Sequence, residues 1–578
     1  MNQLPKRPFI PFDSLGERLL AAVAIKLELP PSQHLLMTQR KQTIEKHLER
    51  DGSPLKDLIR IFYQQGSVAI GATIKAKHRN VGFDIDIIVE LLLNGIRPSQ
   101  ALDLLYEAIR GEPGSRYHDC TTRQTRCVTV HYADGMHIDL SPSVLLEAGD
   151  PRQSCIFHSK PEDPRSSDYY VLMNSFAFAE HYNALCPVDQ TFAEAYAKRV
   201  MAADQAFEVI AKDADSVPVP EHSSEVGGKS AVTVGLQLLK RNRDIRWIPR
   251  KGKRMPASVM FSCLTVEVAE AGRTIGENLR ITATHILDRL LFAKSMGKLI
   301  VVENPRCSGD LFTDRWPENR HDQDLLIEDM KLFLRQLEVV LDESRSLKDR
   351  TAALEAMFGE TVTRDVVKDF AEETGGLVQS GKHALGAAGG ILTAPASARG
   401  KPAARTNTFF GSKRPIRLQT GLVAKSLSAQ AKAMARRWPQ FRATLGMGPQ
   451  SLVWFGDLKG LERSFHISVE YGLPRPGDTT ISRFMPVVRV LRPSLVLNFD
   501  AIEEAPLPHV FFEGPDIRLS PLCLFDPQAR EWDRTMLIAD TTIPWAARWL
   551  ACYEIWEATG RWVGGGRHAG EGDQDNAA

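Results

Sequence analysis

The stretch QQGSVAIGATIKAKHRNVGFDIDIIVEL, residues 64–91, sets a Gly-Ser dipeptide ahead of a basic loop and then alternates Asp84 and Asp86 with isoleucine inside an apolar run. Successive side chains of a strand point to opposite faces, so the two carboxylates share one face while Ile85, Ile87 and Val89 face a core. Like charges held side by side away from water repel each other unless a cation lies between them, and hard divalent cations take carboxylate oxygens. A later segment, MHIDLSP, supplies Asp139 between Ile138 and Leu140, in the same strand-like alternation. Gly66 lets backbone N–H groups approach a phosphate, and Ser67 adds a hydroxyl. Three carboxylates can hold two ions about 3.5–4 Å apart, which activates an attacking sugar hydroxyl and stabilises a leaving pyrophosphate in one in-line displacement. The chemistry indicated is nucleotidyl transfer. A lone Gly-Ser is a weak signal and paired Asp residues also mark solvated strand edges; the apolar setting VGFDIDIIVEL and the conjunction with Asp139 favour the catalytic reading.

Such side chains need a sheet to carry them and helices to close a cleft over it. Apolar spacing is helical over 15–48, strand-like at 58–64, 84–91, 126–132 and 136–140, and helical again at 98–109. Helical patterns then recur at 171–184, 193–211, 231–244, 257–271 and 322–341. These give a nucleotidyltransferase core over 1–170 and a helical module over 171–370 that completes the nucleotide cleft. The run GGLVQSGKHALGAAGGILTAPASARGKPAARTNTFFGSKRP is rich in Gly, Ala, Ser and Pro and short of large apolar residues, so 371–420 reads as a flexible linker. A separate α+β unit occupies 421–578, with a helical pattern at 422–445, strand-like runs at 452–455, 464–471, 486–491 and 495–499, and a Trp-rich helical end. The fold class is α+β, multidomain.

A chain of 578 residues is too long for one core. Lys and Arg total 72 against 71 acidic residues, which argues against a protein that coats nucleic acid or an anionic membrane. Nucleotide binding must therefore be local. The eight cysteines form no CxxC pair, as suits reduced thiols, and there is neither a secretory signal nor a long uncharged apolar run. A soluble, cytoplasmic protein without a membrane partner is expected.

The order GS, basic loop, DID, later Asp-bearing strand resembles the polymerase-beta-like nucleotidyltransferase superfamily, in particular the bacterial cGAS/DncV-like nucleotidyltransferases (CD-NTases) of CBASS antiphage systems. LQLLKRNRDIRW at 236–247, MPASVMFSCLT at 255–265 and NPRCSGDLFTDRW at 304–316 extend the likeness over roughly 54–341. The resemblance implies that Asp84, Asp86 and Asp139 bind two Mg²⁺ ions, with Mn²⁺ as the alternative metal, and that Gly66 and Ser67 contact the phosphates. It also implies that Lys240 and Ser258 hold the triphosphate tail. A lysine on a helix facing a metal cleft can neutralise phosphate charge that the ions leave over; the plain alternative for Lys240, Arg241 and Arg243 is a solvated helix face. His78 and Arg79, in the basic loop, read as surface residues.

LPHVFFEGPDIRLSPLCLFDPQAREW, residues 507–532, sets His509 before Cys523 and Trp532 after it. This order resembles the ubiquitin-conjugating (UBC) fold, and the end of the chain resembles the conjugating-enzyme-like proteins of short type II CBASS operons. The resemblance implies that Cys523 accepts an acyl group as a thioester, for which a locally lowered thiol pKa is expected, with His509 supporting it. The Asn that usually follows the His and Pro is absent from His509-Val510-Phe511, so another oxyanion donor is required. The bland reading of Cys523 is a small buried hydrophobe, and Cys552 and the tryptophans at 545, 549, 556 and 562 read as core. A two-part protein of this kind would make a cyclic oligonucleotide from nucleoside triphosphates for a downstream effector. Its second part would conjugate the nucleotidyltransferase's C-terminal glycine to a target or to other copies, and Gly411, ending TNTFFG, is a candidate conjugation point. Two other readings stand beside this one: nucleotidyl transfer to RNA ends or a small molecule, for which no broad basic groove is evident, and a conjugation scaffold with an inactive nucleotidyl site.

Overall fold

The computed structural model describes residues 10–29, 31–75, 84–93, 95–146, 152–211, 228–381, 383–392, 401–402, 423–446, 450–473, 485–526 and 531–566. It divides into two units: Met1–Glu338 with Ala356–Val362, and Val339–Glu355 with Thr363–Ala578. His78, Arg79 and Gly411 lie outside the described residues.

In the first unit Ser14 accepts the Glu17 N–H and opens α1 (Leu15–Leu27), which α2 (Pro31–Leu48) follows. The sheet is built from β1 (Ile59–Gln64), β2 (Asp84–Leu91), β3 (Thr121–Arg123), β4 (Val128–His131), β5 (His137–Leu145), β6 (Ser154–His158) and β7 (Tyr169–Met173). The one-turn α3 (Gly66–Ala69) follows β1, α4 (Pro98–Arg110) follows β2, and the short α5 (Pro164–Ser167) precedes β7. The strand order is β1-β2-β5-β4-β3, with β6 on the far half of β5 and β7 beyond it. Only β2 and β5 run parallel among these pairs. Ile85, Ile87 and Val89 are fully buried and join Leu105 and Ile109 of α4 with Val128, Val130, Ile138 and Leu140 in one core. Burial of that face against α4 fixes the register, because a slip of one residue would turn every apolar side chain outward. The acids are thereby committed to the opposite face.

The first unit is completed by α6 (Ser175–Leu185), α7 (Gln190–Ala211), α8 (Ala231–Trp247), α9 (Ser258–Val266), α10 (Ile275–Ser295) and most of α11 (Arg320–Leu341), and α6 and α9 contact α3. Helix α8 is central and packs against α1, α9 and α10. The helix expected over 171–184 begins only at Ser175. Residues 169–173 instead pair with β6, where Tyr169 and Tyr170 lie opposite His158 and Phe157, and Asn174 caps the helix by accepting the Ala177 N–H at 3.0 Å.

The second unit contains most of α12 (Leu347–Phe358) and α13 (Glu360–Ser380), then β8 (Ala384–Gly386), β9 (Gly389–Leu392), β10 (Lys401–Pro402), α14 (Leu427–Arg437), β11 (Arg442–Leu445), β12 (Ser451–Lys459), β13 (Ser464–Gly472), β14 (Val487–Arg492) and α15 (Thr542–Thr559). Its sheet runs β10-β8-β9-β12-β13-β14, with β11 also on β12. The expected flexible linker over 371–420 is corrected where residues are described. Helix α13 continues to Ser380, and β8 and β9 join the sheet with Leu385 and Ile391 buried. The glycines serve close approach rather than flexibility. A Cβ on Gly389, at φ +95°, would lie 2.7 Å from the Lys459 carbonyl oxygen, and one on Gly386 would lie 2.7 Å from that of Gly389. Residues 495–498 form no regular element and Phe499 begins a turn, instead of the expected strand. Trp545, Trp549, Trp556 and Cys552 are fully buried on α15, as core. Among the described residues no helix is long and apolar enough to cross a membrane.

Candidate active site

Residues Asp86 and Asp139 are partners in the parallel pairing of β2 with β5, so their side chains leave the sheet next to each other on one face. Asp84 stands two positions earlier on β2, beside His137, and the strand alternation puts it on the same face; its side chain lies outside the described ones. The Gly-Ser turn meets this face directly. Gln65 donates its N–H to the Asp86 carbonyl at 3.0 Å. A Cβ built on Gly66, whose φ is +62°, would lie 2.6 Å from Asp86 Oδ2. Only glycine tolerates both that backbone conformation and that contact, so the Asp86 carboxylate rests against the start of α3.

Asp139 is oriented from the other side. Thr129, its antiparallel partner on β4, donates its hydroxyl to Asp139 Oδ1 at 2.6 Å. The neighbouring Cys127 thiol is pushed up to about 12, first by burial and then by the negative charges of Asp139 and Asp86. The two carboxylates thus act on a common space as a concentrated negative field. Oxygen-only donors at adjacent strand positions fit a hard divalent cation. Among the described side chains no group of three metal-ligating residues occurs, Asp84 being outside that set.

Lys240 reaches the Gly-Ser turn from α8. Its ammonium donates to Ser67 Oγ at 2.5 Å and to the Ala72 carbonyl at 2.7 Å, and the side chain is 4% exposed. One turn earlier Gln237 donates to the Thr73 carbonyl at 2.8 Å. Helix α8 therefore clamps the segment after α3, and Ser67 and Lys240 meet beside the carboxylates. Ser258 opens α9, which packs against α8 and α3. The solvated-face alternative for this stretch fails for Arg241, which is buried and donates to the Phe358 carbonyl at 2.9 Å. Arg250 forms a two-bond pair with Asp329 and Lys253 pairs with Asp322, so the basic run beyond α8 is largely ion-paired.

Thr129 and Cys127 were missed by motif reading, because nothing in VTVH says which residue will face Asp139 until the β4–β5 register is known. Alternation from Val128 was the available signal.

In the second unit, Cys523 lies in the segment after β14 and is 4% exposed. Its N–H donates to the His509 carbonyl at 2.8 Å, and Val510 bridges to Leu522. The expected lowering of the thiol pKa is corrected: burial, then the negative charges of Asp526 and Glu531, pushes it up to about 12. His509 is buried, sits at φ +46°, and lies with its ring 5.1 Å from that of Trp562. Glu504, Pro506, Leu507, His509, Val510 and Phe512 line a cleft of about 400 Å³ on this side. Cys523 and His509 are brought together, as a shielded thiol rather than an exposed thiolate.

Residues 20–152 match the Second Messenger Oligonucleotide or Dinucleotide Synthetase domain (SMODS), and residues 430–569 match the Type II CBASS E2 protein family. The chain is 35% identical over 419 residues to the cyclic dinucleotide synthase CdnG of Bradyrhizobium diazoefficiens, spanning 71% of this chain and 97% of that protein. The structure of the B. diazoefficiens CD-NTase CdnG in complex with GTP matches with a TM-score of 0.54 at 33% identity, covering 62% of this chain and 99% of that one. Escherichia coli MS115-1 CdnC with ATP matches with a TM-score of 0.40 at 15% identity, covering 60% of this chain and 98% of that one.

Proposed function

The chain belongs to the CD-NTase family, with a SMODS domain followed by a type II CBASS E2 domain, and on that premise we propose that it is a Mg²⁺-dependent synthase of a cyclic oligonucleotide second messenger. The observation that carries the reading is the adjacency of Asp86 and Asp139 in parallel register at the Gly66 turn. The CdnG relative's name points to a cyclic dinucleotide, and its complex with GTP points to GTP among the substrates. When bound, Mg²⁺, or Mn²⁺ in its place, held by Asp86, Asp139 and Asp84, supplies neutralisation of the charge that develops on the phosphates.

The chain's own residues do the rest. The N–H groups at the start of α3 and the Ser67 hydroxyl bind the triphosphate, and Lys240, now on Ser67, carries positive charge to it. Ser258, at the start of α9, is assigned to the same tail by the family resemblance. Asp139, oriented by Thr129, receives the proton of the acceptor's sugar hydroxyl. The oxygen attacks the α-phosphorus, the bond to pyrophosphate breaks, and a second round within the linear product closes the ring. Incubation with labelled nucleoside triphosphates and Mg²⁺ followed by phosphatase tests this. A resistant product is expected; label on an added RNA, or no product at all, overturns it.

The second activity is acyl transfer through Cys523, supported by its place after β14 beside His509 and by the E2 family match. In the described conformation Cys523 is buried, so thioester formation requires the thiol to be uncovered, and the 507–512 segment, whose backbone pairs with 521–523, is the one proposed to move. Conjugation of a C-terminal glycine, with Gly411 as the candidate point in this chain, would show as an isopeptide or a cleavage there by mass spectrometry. Its absence under conditions that support activity would remove that part.

A further inference from the structure

At the N-terminal end of β4, in the first unit, lies a charged and aromatic cluster that the catalytic residues leave unused. Arg126, in the bend before Cys127, donates Nε to His158 Nδ1 at 3.1 Å and Nη2 to both Asp314 Oδ2 at 2.5 Å and the Tyr169 hydroxyl at 3.4 Å. The imidazole of His158 stacks on the Tyr169 ring with centroids 4.3 Å apart and planes 19° from parallel, yet Tyr169 remains 47% exposed. Arg315, next in sequence to Asp314, has no hydrogen-bond or ion-pair partner among the described residues. Partial burial and then the charges of Arg126 and Arg254 lower its pKa, while Asp314 and Tyr169 oppose that. An aromatic face open to solvent thus stands beside a guanidinium with uncommitted donors, in a field crowded with positive charge.

The cluster lies within reach of the site. Arg126 adjoins Cys127, whose thiol feels Asp139 and Asp86, and it is three residues from Thr129, which bonds Asp139. At strand rise that is about 10 Å, the scale of a nucleoside laid along the strand. The chemistry selects among bases. Arginine only donates, and its planar fork matches two adjacent acceptors. Guanine offers O6 and N7, both acceptors, whereas adenine offers a donor at N6 beside N7. Every base has a face for Tyr169, so stacking adds affinity without discrimination.

We infer that Tyr169 and Arg315 form a base-reading subsite that prefers guanine nucleotides, with Tyr169 stacking the base and Arg315 reading its O6/N7 edge. This rests on the reading of the chain as a nucleotidyltransferase. Arg126 holds the tyrosine and His158 in place and is a positioning residue.

The test is equilibrium binding of non-hydrolysable GTP and ATP analogues to the full chain with Mg²⁺, alongside product analysis. The native chain is expected to favour the GTP analogue. Arg315→Ala should weaken GTP-analogue binding about tenfold and ATP-analogue binding by less than twofold. Arg315→Lys, which keeps the charge and loses the fork, should also lose the preference. Tyr169→Leu should weaken both analogues alike. Unchanged guanine preference in Arg315→Ala, retention of it in Arg315→Lys, or its absence in the native chain each overturns the inference. Guanine-selective binding without any cyclic product would sink the synthase reading alone; cyclic product with selectivity indifferent to Arg315 would sink this one alone.

Discussion

Gly66 is the residue on which the carboxylate geometry turns. A methyl group there would meet the Asp86 carboxylate and would also sit at a left-handed φ that costs a non-glycine residue on the order of 1 kcal/mol. Gly66→Ala is therefore expected to lower product formation by at least a hundredfold while the unit stays folded, since the turn is a single short helix off the main core. Circular dichroism and initial rates on the same sample check it; near-native rates would mean that Asp86 is not held where catalysis needs it. Thr129→Val removes the bond that orients Asp139 and keeps the shape. It should reduce kcat about tenfold or more with little change in KM, the signature of a group that acts through another. The acids were legible in sequence because period-two alternation is a local rule. Thr129 was not, because its role depends on a strand pairing that no local pattern encodes.

At the scale of elements, the same limit explains the misread segment before the second domain. Glycine and alanine runs fit either a flexible tether or backbones packed closer than side chains allow. Which one holds is decided by residues far along the chain. Here β9 lies on the end of β12, where Lys459 donates its N–H to the Ala388 carbonyl at 2.9 Å and Ile391 donates to that of Gly460 at 3.1 Å. Gly389→Ala, with φ +95° and the Lys459 carbonyl in its way, should destabilise the second unit by roughly 2 kcal/mol or more, read as a lowered unfolding midpoint. A true linker residue would tolerate it. Helix α15 carries a second element-level consequence. Glu554, wholly buried, accepts the Leu461 N–H at 2.7 Å, and burial pushes its carboxyl up to about 8, opposed by the charges of Arg463 and Arg350. The folded state thus holds a proton that the unfolded chain releases above its ordinary value of 4.5. Stability from this group is full below that value and is lost as pH rises through about 8. Glu554→Gln keeps an acceptor for Leu461 and cannot ionise, so its melting temperature should exceed the native one by a growing margin from pH 7 to pH 9.

For the whole molecule, the two proposed chemistries, assigned to separate units of one polypeptide, predict separable failures. The nucleotidyl residues lie in the first unit, and the Cys523 segment takes its hydrogen bonds and its charges from the second. Asp86→Asn should abolish cyclic product and leave the reactivity of Cys523 unaltered; Cys523→Ala should do the reverse. Both effects are readable in one preparation. The state of the thiol adds a stricter expectation. Covered, tied through its N–H to His509, and raised by burial with Asp526 and Glu531 nearby, Cys523 should react with iodoacetamide far more slowly than an exposed cysteine at pH 7.5, because the thiolate is the nucleophile and little of it forms. If the E2 domain is an acyl carrier, loosening the cover must raise both alkylation and thioester yield together. Replacing Phe511, whose N–H donates to the Pro521 carbonyl at 2.9 Å, with proline removes a backbone donor from that cover. Faster alkylation with more hydroxylamine-sensitive adduct would identify the 507–512 segment as the gate over a working nucleophile. Faster alkylation without any adduct would leave Cys523 a core residue and the second unit a binding scaffold.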